Sequence, residues 1–433
     1  MSISRFQLQE YGDSVAVPTG RITKEDVERA NQKWQQVLDL PQSPFQTDTS
    51  AGVLKIRAIG VTGVIRIGDT DIEIVPKFLN GKHPRWQTAL WKILSAVSNS
   101  AGDDMPTRAA DGDDSSFVDF LADLFISSFL TGSARGLPRT YCSEKSEGPI
   151  VRGSFDASRA TEFLVEPWRV PYVVDVLSED TQLARLLRWA SNSLMGLVSS
   201  SSRGRALNNI VDILSYVGNF PPHIIDARQI ELGSQYRGLE LAKNIGILLL
   251  EGGGLAHENG QLELPGFLWR SNTVYEEFVF SVCETAAEKI GLTVSKAQYH
   301  FGEVLNGIGK PLSTIPDLVF RDKFGKVFAI ADAKYKRFTI EGKPTPADTY
   351  QMVTAGHILG GPQVALIYPS DARHESTTWK IGSKLNADNI FLSALHINVM
   401  DILNDSGKVE VGRPILEWLI ACARGGRLKE CSD

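Results

Sequence analysis

The stretch I-P-D-L-V-F-R-D-K-F-G-K-V-F-A-I-A-D-A-K at residues 315–334 constrains the fold of this chain more tightly than any other. Apolar runs at 315–320 and 327–335 flank a polar turn at 321–326 that holds Gly325, so the spacing predicts an antiparallel hairpin. Alternate side chains of a strand share a face; Phe328, Ile330, Asp332 and Lys334 therefore point one way and Val327, Ala329, Ala331 and Ala333 the other. The second strand is apolar on both faces except at its end. A carboxylate and an ammonium placed there carry a desolvation cost that a purely structural strand avoids. Pairing within the hairpin carries Asp317 to the same edge.

Those residue types at that spacing point to metal-dependent phosphodiester hydrolysis. A hard cation such as Mg2+, with Mn2+ as a substitute, takes oxygen donors, here Asp317, Asp332 and the backbone carbonyl of Ala333. Lys334 beside the ion would hold or activate the attacking water and neutralise charge on the phosphate. The alternative is a strand-end ion pair between Asp332 and Lys334 with a turn aspartate at Asp317. A further acid is expected from a helix over 272–290, which Gly291 stops. On that helix Glu276 shares an edge with Phe280, Cys283 and Ala287, and Glu277 lies with Ser281, Glu284 and Glu288. Glu276 is thus the inward candidate and Glu277 the solvent-facing one; a rim carboxylate is the alternative for Glu276.

Downstream, Thr345 reads as a helix N-cap with Pro346 at the first helical position and Asp348 closing a capping box. The helix runs to Leu359 and stops at Gly360-Gly361, and an apolar strand follows at 364–368. The order helix, strand, acid-bearing strand, D-x-K strand, helix, strand resembles the core of the PD-(D/E)XK nuclease superfamily. More closely, D-A-K-Y-K at 332–336, D-T-Y-Q at 348–351 and A-L-I-Y-P at 365–369 resemble the nuclease domain of the McrC family, the endonuclease subunits of modified-cytosine-dependent restriction systems. E-G-P-I-V-R-G-S-F-D at 147–156, L-S-E-D-T-Q-L-A-R-L-L at 177–187 and V-Y-E-E-F-V at 274–279 are similar to further family motifs. Ala184 departs from the usual asparagine of the second of these, and Ala355 stands where a Q-x-x-x-Y pattern has tyrosine.

The resemblance implies a Mg2+-dependent DNA endonuclease of α+β, multidomain architecture, ending in a mixed sheet flanked by helices. It also implies a partner, a McrB-like AAA+ GTPase hexamer that recognises double-stranded DNA carrying modified cytosine. In that picture the N-terminal part docks into the ring and stimulates GTP hydrolysis, and Gln351 joins Lys336 and Arg337 on the DNA. A stand-alone repair or defence nuclease, and a non-catalytic activator of such a ring, are the alternative functions.

The remaining sequence is compatible. A chain of 433 residues predicts two or three domains, here a small β unit with helices at 1–156, a helical connection at 157–260 and the nuclease segment at 261–433. Strands are expected within 53–78 and helices at 22–40, 86–97, 116–130, 180–198 and 205–217. The net charge of -6 is unusual for a nucleic-acid binder working alone. The local cluster Lys334, Lys336, Arg337 and Lys343 offers a contact, so a partner is expected to supply much of the affinity. Cys142, Cys283, Cys422 and Cys431 have neither zinc nor disulfide spacing, which suits a cytoplasmic chain. Asp119 and Asp123 interrupt the most hydrophobic helix, so no membrane span is expected. The acidic stretch at 101–115 reads as a solvated connection. In G-E-V-L-N-G-I-G-K at 302–310 the lysine is displaced and Pro311 follows, so this chain is expected to bind no nucleotide.

Overall fold

The structure, a computed structural model, describes residues 4–17, 20–50, 53–97, 116–218, 220–252, 257–258, 261–262, 266–296, 299–302, 312–314, 316–336, 338, 342–370, 374–382 and 389–424. The acidic connection at 101–115 and positions 303–310 of the phosphate-loop mimic lie outside them. The chain forms two compact units, residues 1–101 together with 268–433, and residues 102–267. This differs from the expected division at 156 and 260. The reason is direct packing of the N-terminal residues on the C-terminal ones: the Ser271 amide donates to the Gly60 carbonyl at 3.1 Å, and the Lys92 ammonium to the Ile402 carbonyl at 3.2 Å.

In the first unit, α1 (Lys24–Val37) opens on a Thr23 and Asp26 capping box and buries Val27, Ala30 and Trp34. Strands β1 (Ser4–Gln9), β2 (Val15–Val17), β3 (Phe45–Ser50), β4 (Val53–Ala58), β5 (Val61–Ile67) and β6 (Thr70–Val75) build the β unit, followed by α2 (Trp86–Val97). It is two sheets. One has the order β2-β4-β3, and the other β1-β6-β5-β7, where β7 (Gly266–Arg270) returns from the C-terminal half.

The site-bearing sheet follows. Helix α3 (Ser271–Glu288) leads to β8 (Thr293–Ser295), β9 (Leu318–Arg321), β10 (Val327–Ala333), α4 (Pro346–Leu359), β11 (Gln363–Ser370), β12 (Thr377–Ile381), β13 (Ile390–Asn398) and α5 (Arg413–Ala423). The sheet order is β8-β9-β10-β11-β13-β12. The β9 and β10 pair is the antiparallel hairpin expected, with Leu318 opposite Ala331, and β10, β11 and β13 run parallel. Parallel strands are covered on both faces, which explains the continuous apolar runs. Ile330, Val364, Leu366, Tyr368 and Leu392 pack with Met352 and Ala355 of α4. Phe320, on the opposite face by its pairing with Ala329, meets Trp418 of α5 edge-on at 5.9 Å. Thr345 caps α4, and Gly360 ends it with φ 68°, a left-handed cap that glycine adopts without strain.

The second unit packs helices Phe117–Gly132, Gln182–Met195, Ser201–Ile213 and Glu240–Glu251 beside an antiparallel sheet of Thr140–Gly148, Val170–Ser178 and Ser154–Phe155. The R-G pair has a steric reason: a Cβ on Gly153 would lie 2.0 Å from the Val173 carbonyl oxygen. In L-S-E-D-T-Q-L-A-R, Thr181 caps its helix through the Ala184 amide at 3.1 Å, while Asp180 takes the Arg185 guanidinium in a fork at 2.7 and 2.8 Å.

Because 1–101 and 268–433 share one core, the fragment 261–433 expressed alone should lack a cooperative thermal transition that the full chain has. Circular dichroism during heating checks this, and a sharp melt of the fragment would contradict the shared core.

Candidate active site

The site sits at the carboxyl end of β10. Asp332 is its penultimate residue, only 4% exposed, on the face that α4 covers. Strand β10 stops at Ala333, so Lys334 is the first residue beyond the strand; its amide still donates to the Ile367 carbonyl of β11 at 2.9 Å. That bond keeps the alternation going, and the Lys334 ammonium pairs with the Asp332 carboxylate. Asp317 likewise precedes β9 instead of lying within it. Its Oδ2 accepts the Ala333 amide at 2.9 Å, which ties the acid to the end of the neighbouring strand.

Helix α4 supplies the other side. The Gln351 side chain accepts from the Lys334 ammonium at 3.0 Å and donates to Asp332 at 3.4 Å. Asp348 caps the helix by donating its amide to Thr345 Oγ1 at 3.3 Å, as expected, but its carboxylate does not return to the Thr345 backbone. It accepts the Thr345 hydroxyl at 2.6 Å, pairs with Lys336 and lies 3.5 Å from the Lys334 ammonium. Sequence reasoning assigned Asp348 to the cap and missed this second role. Lys336 is half-buried against Asp348, Gln351 is exposed, and Arg337 lies outside the described residues.

Helix α3 contributes Glu276, half-buried, while Glu277 pairs with Lys296 at 2.7 Å, itself half-buried instead of turned fully to solvent. Burial first, then the charge of Asp317, pushes the Glu276 carboxyl up to about 7, with Asp332 and Glu277 adding to it and Lys296 opposing. Asp332 is pushed up to about 6 by burial and by Asp317, against the pull of Lys334. Lys334 is partly desolvated, which lowers its pKa, but Asp332, Asp348 and Asp317 outweigh that and raise it. Three carboxyl groups thus repel one another across one edge, with a single ammonium among them.

Among the described residues no three Asp, Glu, His or Cys side chains are spaced as a complete ligand set. The donors suit a hard cation all the same. They are all oxygens, their mutual repulsion is relieved by positive charge, and Mg2+ needs only one or two carboxylates when water and phosphate supply the rest. Asp317 and Asp332 are the two best placed, with Glu276 and the Ala333 carbonyl as further oxygens.

The raised acid makes a prediction about stability. Glu276 ionises near 7 in the folded chain and near 4.5 when unfolded, so the native state holds the extra proton in between. The stability due to that proton is full below 4.5 and is lost as pH rises through 7. Glu276→Gln should therefore melt about 2 °C higher than the parent at pH 8 in the presence of EDTA, and the difference should shrink toward pH 5. Scanning fluorimetry across that pH range checks it.

No helix among the described residues is long and apolar enough to cross a membrane. A search of curated proteins gives no match. Among solved structures, a chain of the refined half-complex from the tetradecameric assembly of Thermococcus gammatolerans McrB AAA+ hexamers with bound McrC is similar at TM-score 0.64 and 15% identity, over 96% of this chain and 100% of that one. That likeness is one of fold. A chain of the cryo-EM structure of the Thermococcus gammatolerans McrBC complex matches with TM-score 0.45 and 15% identity over 64% of this chain and 87% of that one. A family model described as McrBC 5-methylcytosine restriction system component matches residues 56–369, which takes in the Asp317, Asp332 and Lys334 cluster and most of both units. By that match the chain belongs to the McrBC 5-methylcytosine restriction system component family.

Proposed function

We propose that this chain is the DNA-cutting subunit of a GTP-dependent restriction complex, with a PD-(D/E)XK active site at the end of β10. The observation that carries it is the convergence of Asp317, Asp332 and Lys334, a half-buried and a buried carboxylate with an ammonium at one strand end, and Glu276 close enough to feel the charge of both acids. Apart from a two-stranded hairpin at Tyr299–Gly302 and Leu312–Thr314 between β8 and β9, the succession α3, β8, β9, β10, α4, β11 supports the superfamily reading, since it is the helix and strand order that the motifs imply.

In this mechanism Asp317 and Asp332 would hold Mg2+, with the Ala333 carbonyl and Glu276 as further oxygens. When bound, the cation supplies Lewis-acid polarisation of the scissile phosphate and a lowered pKa for a nearby water. Lys334, held at Asp332 and Gln351, would orient the attacking water and balance the charge that gathers on the phosphate oxygens as the water oxygen bonds to phosphorus and the P–O bond to the leaving oxygen breaks, the water giving up a proton to solvent and the leaving oxygen taking one from it. Lys336 and Gln351 would contact the DNA backbone, and Arg337 is assigned to the same role from the sequence motif alone.

The fold relative is from an assembly of McrB AAA+ hexamers with bound McrC, and the family is described as a 5-methylcytosine restriction system component. On this reading the chain works with a McrB-like GTPase ring that brings double-stranded DNA carrying modified cytosine. We assign the ring contact to the sheet of the second unit instead of the N-terminal β unit. Strand Thr140–Gly148 has no buried residue, and Leu164, Val165 and Trp168 are 78%, 77% and 67% exposed. An edge strand without a buried residue, with large apolar side chains beside its sheet, is a surface that a protein partner completes. The β unit, by contrast, is committed to the core that carries the active site.

With the partner ring, GTP and Mg2+ present, Asp332→Ala should lower cleavage of DNA carrying modified cytosine by about a thousandfold, and Lys334→Ala by about a hundredfold, with unchanged circular dichroism. Stimulation of GTP turnover should survive both changes. Cleavage that persists in Asp332→Ala would move the active site elsewhere, and strong cleavage by the wild-type chain without the ring would favour a stand-alone nuclease.

A further inference from the structure

One buried acid has no part in that mechanism. Glu10 lies just past β1, 1% exposed and more than three hundred residues from the site in sequence. Its carboxylate accepts the hydroxyl of Tyr335, the residue that follows Lys334, and the backbone amide of Lys77 at 3.0 Å. The Lys77 ammonium stands over the Tyr335 ring at 3.8 Å and over Tyr11 at 4.5 Å. Phe78, Tyr275 and Tyr335 complete the cluster, each ring 5.6 to 5.7 Å from the other two. Tyr275 precedes Glu276 on α3, and its hydroxyl donates to the Ile367 carbonyl at 3.3 Å, the same oxygen that takes the Lys334 amide.

These contacts meet where the backbone loses its ladder. β10 ends at Ala333, and beyond it the Lys334 and Lys336 amides make one bond each, to Ile367 and to the Lys334 carbonyl at 2.8 Å. Two bonds are a weak hold on the backbone that sets where the Lys334 side chain starts. The buried carboxylate supplies the missing restraint, because a desolvated acid without donors is unfavourable and so specifies where its donors stand.

We infer that Tyr335 is a positioning residue that Glu10 anchors, fixing the backbone at Lys334 from the N-terminal β unit. The inference builds on the proposed nuclease function only for its effect on turnover. Residues 1–101 are then part of the active-site scaffold, and their loss would disable the site even with every proposed catalytic residue present.

The test uses the full chain and two readouts. Tyr335→Phe keeps the ring and removes the donor, Glu10→Ala removes the acceptor, and Glu10→Gln keeps an acceptor. Hydrogen exchange should run about tenfold faster at the Lys334 and Lys336 amides in Tyr335→Phe and Glu10→Ala, with β10 protected as before and Glu10→Gln close to wild type. In cleavage assays with the ring, kcat should fall about tenfold in Tyr335→Phe and in Glu10→Ala with KM for DNA within twofold, and Glu10→Gln should stay close to wild type. Unchanged exchange at Lys334 in Tyr335→Phe would overturn the inference whether or not the chain cuts DNA. Faster exchange spread evenly over the whole unit would do so too, since that is loss of fold. Localised loosening in a chain whose wild type never cuts would support the positioning and count against the nuclease reading alone.

Discussion

Placing a carboxylate in the dry end of a parallel strand is the constraint around which the site is arranged. Asp332 is buried with Ile330 and Leu366 for neighbours, and an isolated charge there would shift its pKa until it was neutral. The structure answers with Lys334 and Gln351, but it also brings Asp317 and Asp348 close, which undoes part of that relief. A core built for stability alone would have an apolar residue at 332. Positive charge would relieve the repulsion among these acids, which is the arrangement that the proposed metal-dependent hydrolysis calls for.

The same constraint accounts for the organisation of the first unit. A lysine just beyond a strand end needs support from outside the sheet, and the β unit provides it through Glu10, Lys77 and Phe78. The chain then has reason to begin its core before residue 102 and finish it after 267, with the second unit carried between. The proposed function then divides between the units: one would hold the chemistry, and the other would offer its exposed edge strand to a partner.

Much of this was legible in the sequence wherever the signal is local. Period-two alternation located β10 and grouped Asp332 with Lys334; Thr345, Pro346 and Gly360 bounded α4; the helical period separated Glu276 from Glu277. Distant pairings left no such trace. Nothing near Tyr335 names Glu10, and β1 pairs with β6 across most of the β unit. Continuity of the chain suggested three consecutive domains, because an insertion between two halves of one core leaves the periodicity of both halves intact. Asp348 was obscured by a competing local role: an acid three residues after a threonine reads as a cap, and its second contacts come from Lys334 and Lys336 on the segment after β10.

The central claim is that the acids at the end of β10 form a cation site. Calorimetric titration of the full chain with Mn2+ at pH 6.5, in two buffers of different ionisation enthalpy, tests it directly. Glu276 and Asp332 titrate near 7 and 6, so binding should release protons and the measured heat should change with the buffer. The variant carrying Asp317→Asn and Asp332→Asn should lose both the binding and the buffer dependence. Equal heats in the two buffers, or equal Mn2+ binding by that variant, would contradict the account.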